Sequence, residues 1–98
     1  MFLAKVVGTV VATRKHQAFH GSKLLLLQPL VAREHTLVPS GSSVVAIDSV
    51  GAGTGEFVMF TQGSSARLAA QSKDTPVDAV IVGIVDRVEI EGTKLERP

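Results

Sequence analysis

The stretch Asp48-Ser49-Val50-Gly51-Ala52-Gly53-Thr54-Gly55-Glu56 carries glycines at alternate positions between two short apolar segments. Val44–Ile47 precedes it and Phe57–Phe60 follows it, and both segments are typical of strands. A phosphate-binding glycine loop leads from a strand into a helix, and the dinucleotide fingerprint would need a glycine at position 56, where this chain has Glu56. Because glycine lacks a Cβ and tolerates positive φ, we expect a tight strand connection or a place where neighbouring subunits approach.

The composition favours one small domain with apolar surface left over. The chain has 98 residues, of which 45% are hydrophobic and only 19% are charged. This length is close to the commonest domain size, and a domain so small buries a modest fraction of its surface. Surplus Val, Leu and Ala must therefore stay partly outside the monomer core, where such patches mark partner contacts. Homo-oligomerisation is favoured before any motif is considered.

Charge and cysteine content exclude several classes of function. Ten Lys and Arg residues stand against nine Asp and Glu residues, a net charge of +1, so a basic face for nucleic acid is not expected. The chain has no cysteine, which excludes disulfides and thiolate chemistry. The sequence shows neither a signal-peptide pattern nor an apolar run of membrane-spanning length, so we expect a cytoplasmic protein without a membrane partner.

Five segments are predicted as strands, and their spacing suggests a small closed or partly open β-barrel. Pro29 is expected to end the second strand, and residues 31–41 are expected to form a loop. Gly83 is expected to mark a bend or bulge in the fifth strand. The predicted strands are Phe2–Thr13, Lys23–Gln28, Ser42–Asp48, Glu56–Gln62 and Val77–Glu91.

One short helix and a charged tail complete the predicted architecture. Gly63–Gln71 is the clear helix candidate, and Ser64 or Ser65 can cap the free N–H groups of its first turn. Residues 92–98 are rich in charge, and we expect them to form a mobile tail. The predicted domain therefore spans residues 1–91.

No arrangement of side chains predicts a cofactor or metal site. Ser64, Ser65 and Arg67 could hold an anion at a helix N-terminus, but helix capping already explains the two serines. His16 and His20 stand four residues apart, a spacing that suits a metal only on a helix, and they fall in a predicted loop.

The carboxylates and aromatic residues do not predict catalysis or nucleic-acid binding. Asp48, Asp78 and Asp86 fall near strand ends, where turn hydrogen bonds are favoured over acid–base chemistry, and no Ser-His-Asp order stands out. A site for single-stranded nucleic acid needs a basic groove and aromatic stacking platforms, and the chain has four Phe but no Tyr or Trp. We therefore predict that the chain is not an enzyme. A module that binds single-stranded nucleic acid or a small ligand is the alternative hypothesis.

Five motifs occur in one order along the chain. The conjunction of D-S-V-G-A-G-x-G-E, G-S-S-A-R and I-V-G-I-V-D resembles the EutN/CcmL family of bacterial microcompartment vertex proteins, and the likeness covers about residues 1–90. The motifs lie within Leu3–Val11, Gly21–Leu27, Ala46–Glu56, Gly63–Arg67 and Val77–Asp86.

The resemblance implies a fold, an assembly and a role. The fold would be a small five-stranded OB-like β-barrel with one short helix, assembling as a cyclic pentamer. The pentamer would cap the vertices of a polyhedral shell in the cytoplasm, around encapsulated enzymes of a catabolic type. Hexameric shell proteins would be its partners, and no cofactor, catalytic residue or nucleic acid comes with the family.

The resemblance also points to residues that would pack subunits together or face the central pore. The family motifs fall on the glycine-rich stretch and on the predicted start of the helix. The candidate positions are Asp48, Ser49, Gly51, Gly53, Gly55, Glu56, Ser64, Ser65 and Arg67.

Overall fold

The computed structural model describes residues 1–12, 23–63 and 78–95, and these residues form eight strands. In chain order the strands are β1 (Phe2–Val10), β2 (Lys23–Arg33), β3 (Thr36–Pro39), β4 (Val44–Asp48), β5 (Phe57–Gln62), β6 (Ala79–Val85), β7 (Val88–Ile90) and β8 (Thr93–Leu95). The predicted helix at residues 63–71 lies outside the described residues, except for Gly63.

Five strands close into a ring. The sheet runs β1-β5-β6-β4-β2, with β3 beyond β2, and β2 also pairs with β1. Every pairing in the ring is antiparallel except that of β4 with β6. Closure gives each of these strands two neighbours and so removes the open edges that a flat sheet would present. The predicted five-stranded OB-like barrel is confirmed.

Two bulges allow the strands to curve. Val7 is unpaired in the register between β1 and β2, and Val82 is unpaired between β5 and β6. Because an extra residue bends its strand and increases the local twist, bulges turn the corners of small barrels. Val82 precedes Gly83, so the predicted irregularity at Gly83 is confirmed.

The prediction that Pro29 ends the second strand is wrong. β2 continues to Arg33, and Gln28 and Pro29 lie opposite the interval between β3 and β4. The Pro29 carbonyl accepts a hydrogen bond of 3.0 Å from the Ser40 N–H, so the side of Pro29 that lacks a donor faces this break. Proline is tolerated in a sheet where the ladder is already interrupted.

The loop predicted at residues 31–41 is largely a β-hairpin. Arg33 pairs with Thr36, and the two turn residues, Glu34 and His35, have positive φ values of 49° and 66°. These angles fit the type I′ turn that matches the twist of paired strands. The turn was missed because Glu-His lacks the asparagine and glycine that usually mark it.

The last predicted strand and tail also differ from the structure. Val77–Glu91 is not one strand, since β6 ends at Val85 and β7 begins at Val88. A second hairpin follows, in which β7 pairs with β8 through Glu91 and Gly92, both at positive φ. Where a mobile tail was expected from residue 92, residues 93–95 form a strand, and residues 96–98 lie outside the described part.

The barrel interior holds the main hydrophobic core. Alternate residues of each strand point inward, as in Leu25 and Leu27 of β2. A smaller cluster, with Leu30, Leu37 and Phe57 at its centre, joins the β2–β3 hairpin to β5 and β7. The main core consists of Ala4, Val6, Leu25, Leu27, Ala46, Ala52, Val58, Phe60, Ala79 and Ile81.

Removing the largest core side chain should cost far more than removing its exposed neighbour. Phe60 is 2% exposed and its ring centroid lies 5.4 Å from that of Phe2, which is 51% exposed. We expect Phe60→Ala to lower the free energy of unfolding by about 3–5 kcal/mol because it leaves a cavity. Phe2→Ala should cost about 1 kcal/mol, since it removes mainly the ring contact. Urea denaturation measures both, and equal losses would contradict this division of the core.

Candidate functional site

The glycine loop, residues 48–56, connects β4 to β5, and Asp48 shapes its first turn. The Asp48 Oδ1 atom accepts hydrogen bonds from the N–H groups of Val50 and Gly51, at 3.0 and 3.1 Å. Asp is common in turns because its side chain can accept hydrogen bonds from backbone N–H groups a few residues later. The Asp48 side chain is only 2% exposed, so its carboxylate is a structural part of the loop.

Lys23 holds the same loop from the start of β2. Its Nζ atom donates a 2.7 Å hydrogen bond to the Ala52 carbonyl and lies 3.8 Å from Asp48 Oδ2. Register places Lys23 beside Asp48, because β2 and β4 pair directly there. Lys23 was not among the residues predicted for the site. The available signal was its position directly before the apolar run Leu24–Leu27.

Ser49 fixes the loop to a third strand. The Ser49 Oγ–H donates a 2.5 Å hydrogen bond to the carbonyl of Ile81 in β6. β4 and β6 run parallel and pair at only a few residues, through Ile47 with Val80 and Asp48 with Ile81. The serine therefore extends a short strand pairing by one side-chain bond.

The second half of the glycine loop is tied to β1. The Gly53 N–H donates to Glu56 Oε1 at 2.8 Å, and the Glu56 N–H donates to the Gly53 carbonyl at 3.1 Å. Val6 receives a bond from the Gly55 N–H at 2.8 Å and donates its own N–H to the Glu56 carbonyl at 2.9 Å. These bonds extend the pairing of β1 with β5 into the loop residues that precede the start of β5.

The three loop glycines have different requirements. Gly51 and Gly55 have φ values of 79° and 92°, which other residues rarely adopt. Gly53 does not have positive φ, and a Cβ there would lie an ordinary 3.5 Å from Glu56 Oε1. A Cβ added at Gly51 or Gly55 would meet no atom of the described residues within 4 Å. Backbone conformation therefore explains Gly51 and Gly55, and nothing among the described residues requires a glycine at position 53.

Six of the nine predicted site residues share this loop. Asp48, Ser49, Gly53 and Glu56 bond within their own chain, and Gly51 and Gly55 supply its positive-φ turns. The other three, Ser64, Ser65 and Arg67, lie outside the described residues.

The titratable residues form no metal cluster in the part of the chain that the structure describes. No group of three or more His, Asp or Glu there could hold a metal ion. His35 Nε2 lies 3.4 Å from Glu91 Oε2, which places the tips of the two hairpins together. His16 and His20 fall outside the described residues. Residues 1–12, 23–63 and 78–95 contain no helix long and apolar enough to span a membrane.

A partly exposed apolar surface covers the outside of β1, β2 and β4. Register places Leu24 between Val10 and Ile47, and Leu26 beside Val45. Because Leu25 and Leu27 point into the core, Leu24 and Leu26 point outward. We name Val10, Leu24, Leu26, Val45 and Ile47 the outer apolar face.

Comparison with known proteins identifies the family. Residues 1–86 match the family described as "Ethanolamine utilisation protein EutN/carboxysome". The chain belongs to the EutN/CcmL family.

The relatives match over nearly the whole chain. The bacterial microcompartment shell vertex protein GrpN of Rhodospirillum rubrum is 47% identical over 89 residues, which are 91% of this chain and 97% of GrpN. The shell vertex protein EutN of Salmonella typhimurium is 47% identical over 92 residues, 94% of this chain and 90% of EutN. The solved GrpN structure, described as a pentameric microcompartment shell protein, superposes with a TM-score of 0.79 and covers 92% of this chain and 99% of its own. The EutN/CcmL likeness seen in the sequence is confirmed.

The carboxylate of Asp48 should matter through its turn bonds more than through its charge. Asp48→Ala removes both hydrogen bonds that the loop N–H groups of Val50 and Gly51 donate to the carboxylate, so we expect a loss of about 1–3 kcal/mol in the free energy of unfolding. Asp48→Asn keeps an acceptor oxygen and weakens only the pair with half-exposed Lys23, so it should cost less than about 1 kcal/mol. Chemical denaturation compares the two variants, and equal losses would show that the charge dominates.

Substitution of the loop glycines should separate conformation from packing. Gly51→Ala forces a side chain into positive φ, so we expect the variant to be less stable by about 1 kcal/mol or more. Gly53→Ala needs no positive φ and clashes with none of the described residues, so its thermal midpoint should stay close to that of the unmodified protein. Thermal melts followed by circular dichroism test this, and a larger loss at Gly53 than at Gly51 would contradict it.

Proposed function

We propose that the chain is a structural shell protein that forms the pentameric vertex cap of a bacterial microcompartment. In this role it closes the polyhedral shell around the enclosed enzymes. The proposal rests on the match with the pentameric shell protein GrpN, which is 48% identical and aligned over nearly all of both chains. A second pentameric shell protein, from the RMM microcompartment, superposes with a TM-score of 0.70 at 31% identity.

The geometry of the chain supports a ring. Each of the five barrel strands already has two neighbours in the described sheet, so we expect association to use side chains on the outer wall of the barrel. That wall carries exposed apolar residues, of which Val45 at 48% and Met59 at 36% are two. Burial of such residues between identical copies is favourable, and in a closed cyclic ring every copy buries the same surfaces.

The polar groups support a structural role in place of catalysis. The side chains of Asp48, Ser49 and Glu56 are engaged with the backbone of their own chain, which uses them to hold the loop. We propose no enzymatic activity and no cofactor. Its partners are four further copies and the hexameric shell proteins of the facets, with no nucleic acid, and its location is the microcompartment shell in the cytoplasm. We assign it to a catabolic shell on its 47% identity to EutN.

The glycine loop and the G-S-S-A-R motif are proposed to pack between subunits or to face the central pore. Added Cβ atoms at Gly51 and Gly55 would meet no atom of the described residues within 4 Å, which leaves room there for a neighbouring subunit. Asp48, Ser49, Gly53 and Glu56 hold that surface in shape. Ser64, Ser65 and Arg67 join the proposal through the family motif alone.

Binding of single-stranded nucleic acid or a small ligand is the alternative function. Among the described aromatic residues, Phe57 and Phe60 are buried in the barrel, and Phe2 is half exposed but rests against Phe60. Stacking of successive bases needs a row of exposed rings beside basic groups. The described surface and the net charge of +1 therefore favour the vertex role.

The mass of the protein in solution tests the proposed function. We expect light scattering after gel filtration to give a mass near that of five chains of 10.3 kDa each at micromolar concentration. A monomer at that concentration would contradict the proposal. A gel shift with a single-stranded oligonucleotide tests the alternative, and we expect no retardation.

A further inference from the structure

Two hairpins meet at their turns, at the end of β2 that lies away from the glycine loop. The first hairpin joins β2 to β3 through Glu34 and His35, and the second joins β7 to β8 through Glu91 and Gly92. His35 Nε2 lies 3.4 Å from Glu91 Oε2. The 11 residues of β2 separate this end from the glycine loop by about 33 Å at the usual rise of a strand.

The β7–β8 hairpin is not part of the barrel sheet. β7 and β8 form a two-stranded sheet of their own, and partly buried Val88 packs against the smaller hydrophobic cluster. A two-stranded hairpin by itself is only marginally stable in water, so its contacts with the rest of the chain determine how firmly it is held. The hairpin also follows residues 1–86, which match the family, so its contacts are not part of the matched family pattern.

The two side chains that meet stand at unfavourable backbone positions. His35 and Glu91 have φ values of 66° and 50°. Two-residue hairpin turns with such angles favour asparagine and glycine, and other residues there cost stability. Two such residues whose side chains contact each other point to a role for the contact.

The contact depends on the charge of the imidazole. A separation of 3.4 Å is longer than the usual N–H···O distance of about 2.7–3.2 Å, so the attraction comes mainly from opposite charges. Imidazoles gain a proton near about pH 6.5, whereas carboxylates are ionised above about pH 5. His35 is the only histidine among residues 1–12, 23–63 and 78–95.

Glu91 is the charged group whose contact with His35 depends on the position of the second hairpin. The charged residues of the first hairpin stay beside His35 wherever the second hairpin lies, so they do not decide how firmly it is held. On the second hairpin, Glu89 Oε1 lies 3.4 Å from Arg87 Nε, and Glu89 pairs with Lys94 in the strand register. The charged residues in and beside the two hairpins are Arg33, Glu34, Arg87, Glu89, Glu91 and Lys94.

We propose that His35 and Glu91 form a pH-sensitive clasp that holds the β7–β8 hairpin against the β2–β3 hairpin. The clasp is tighter between about pH 5 and 6, where both groups are charged, than above about pH 8, where the imidazole is neutral. When the clasp loosens, Val88 leaves the smaller cluster more often and the hairpin moves away from the barrel. The contact lies within one chain, so the inference does not rest on the proposed pentamer.

Amide hydrogen exchange of the full chain tests the clasp. Exchange of the β7 and β8 amides is measured for the unmodified protein and for Glu91→Gln, at about pH 5.5 and about pH 8.5. The ratio of the two rates at one pH cancels the chemical effect of pH on exchange. We expect Glu91→Gln to exchange about 1.5- to 5-fold faster at the lower pH, as for an exposed ion pair, and at the same rate as the unmodified protein at the higher pH.

Two further variants serve as controls. Glu89→Gln removes the same charge from the same hairpin but not the contact with His35, so its rate ratio should be equal at the two pH values. His35→Asn suits a positive φ and does not titrate in this range. Addition of Glu91→Gln to His35→Asn should therefore change the exchange rates equally at both pH values.

Three results would overturn the clasp. The first is a rate ratio for Glu91→Gln that is equal at the two pH values. The second is the same pH-dependent ratio for Glu89→Gln, which would show an effect of net charge alone. The third is exchange of the β7 and β8 amides only together with those of the barrel core, since the hairpin would then not open separately. A one-chain mass by light scattering would remove the proposed function and leave these results unchanged, so the two failures are distinguishable.

Discussion

The pairing of β1 on both of its sides is the constraint on which the rest of the structure depends. One edge of β1 bonds to β2, the other bonds to β5, and Val6 extends the second pairing into the glycine loop. This double pairing converts an open sheet into a barrel. A chain of this length can build only a small hydrophobic core. Because the barrel is closed, the inward side chains of all five strands pack into that one core.

Closure of the barrel also determines which apolar side chains remain on its outer surface. In a strand of alternating faces, each inward core residue has outward neighbours, and in this chain many of those neighbours are apolar. Leu24 and Leu26 of β2 cannot enter a barrel already filled by Leu25 and Leu27. Their burial requires another copy or another protein. Barrel formation and assembly are thus two consequences of the same strand pattern.

Three strands of the barrel together hold the glycine loop in place. Lys23 of β2, Ile81 of β6 and Val6 of β1 each hold a different part of the loop. These three strands come from distant parts of the chain and meet only because the barrel is closed. The loop is therefore rigidly placed at one end of the barrel, with the surfaces of Gly51 and Gly55 open to the outside.

The sequence by itself determined most of the barrel strands, the bulge beside Gly83, the position of the glycine loop between two strands and the family, because these depend on local residue types and spacing. It missed the hairpins at Glu34-His35 and Glu91-Gly92, where residues without a strong turn preference are held at positive φ by the strands they join. It also misjudged Pro29, whose missing donor is harmless only because the opposite strand is interrupted there. Only the tertiary structure decided that Lys23 bonds to the glycine loop. It also decided which leucines of the Leu24–Leu27 run lie in the core and which lie on the surface. Strand pairing between distant segments sets both, and no local pattern records which segments will pair.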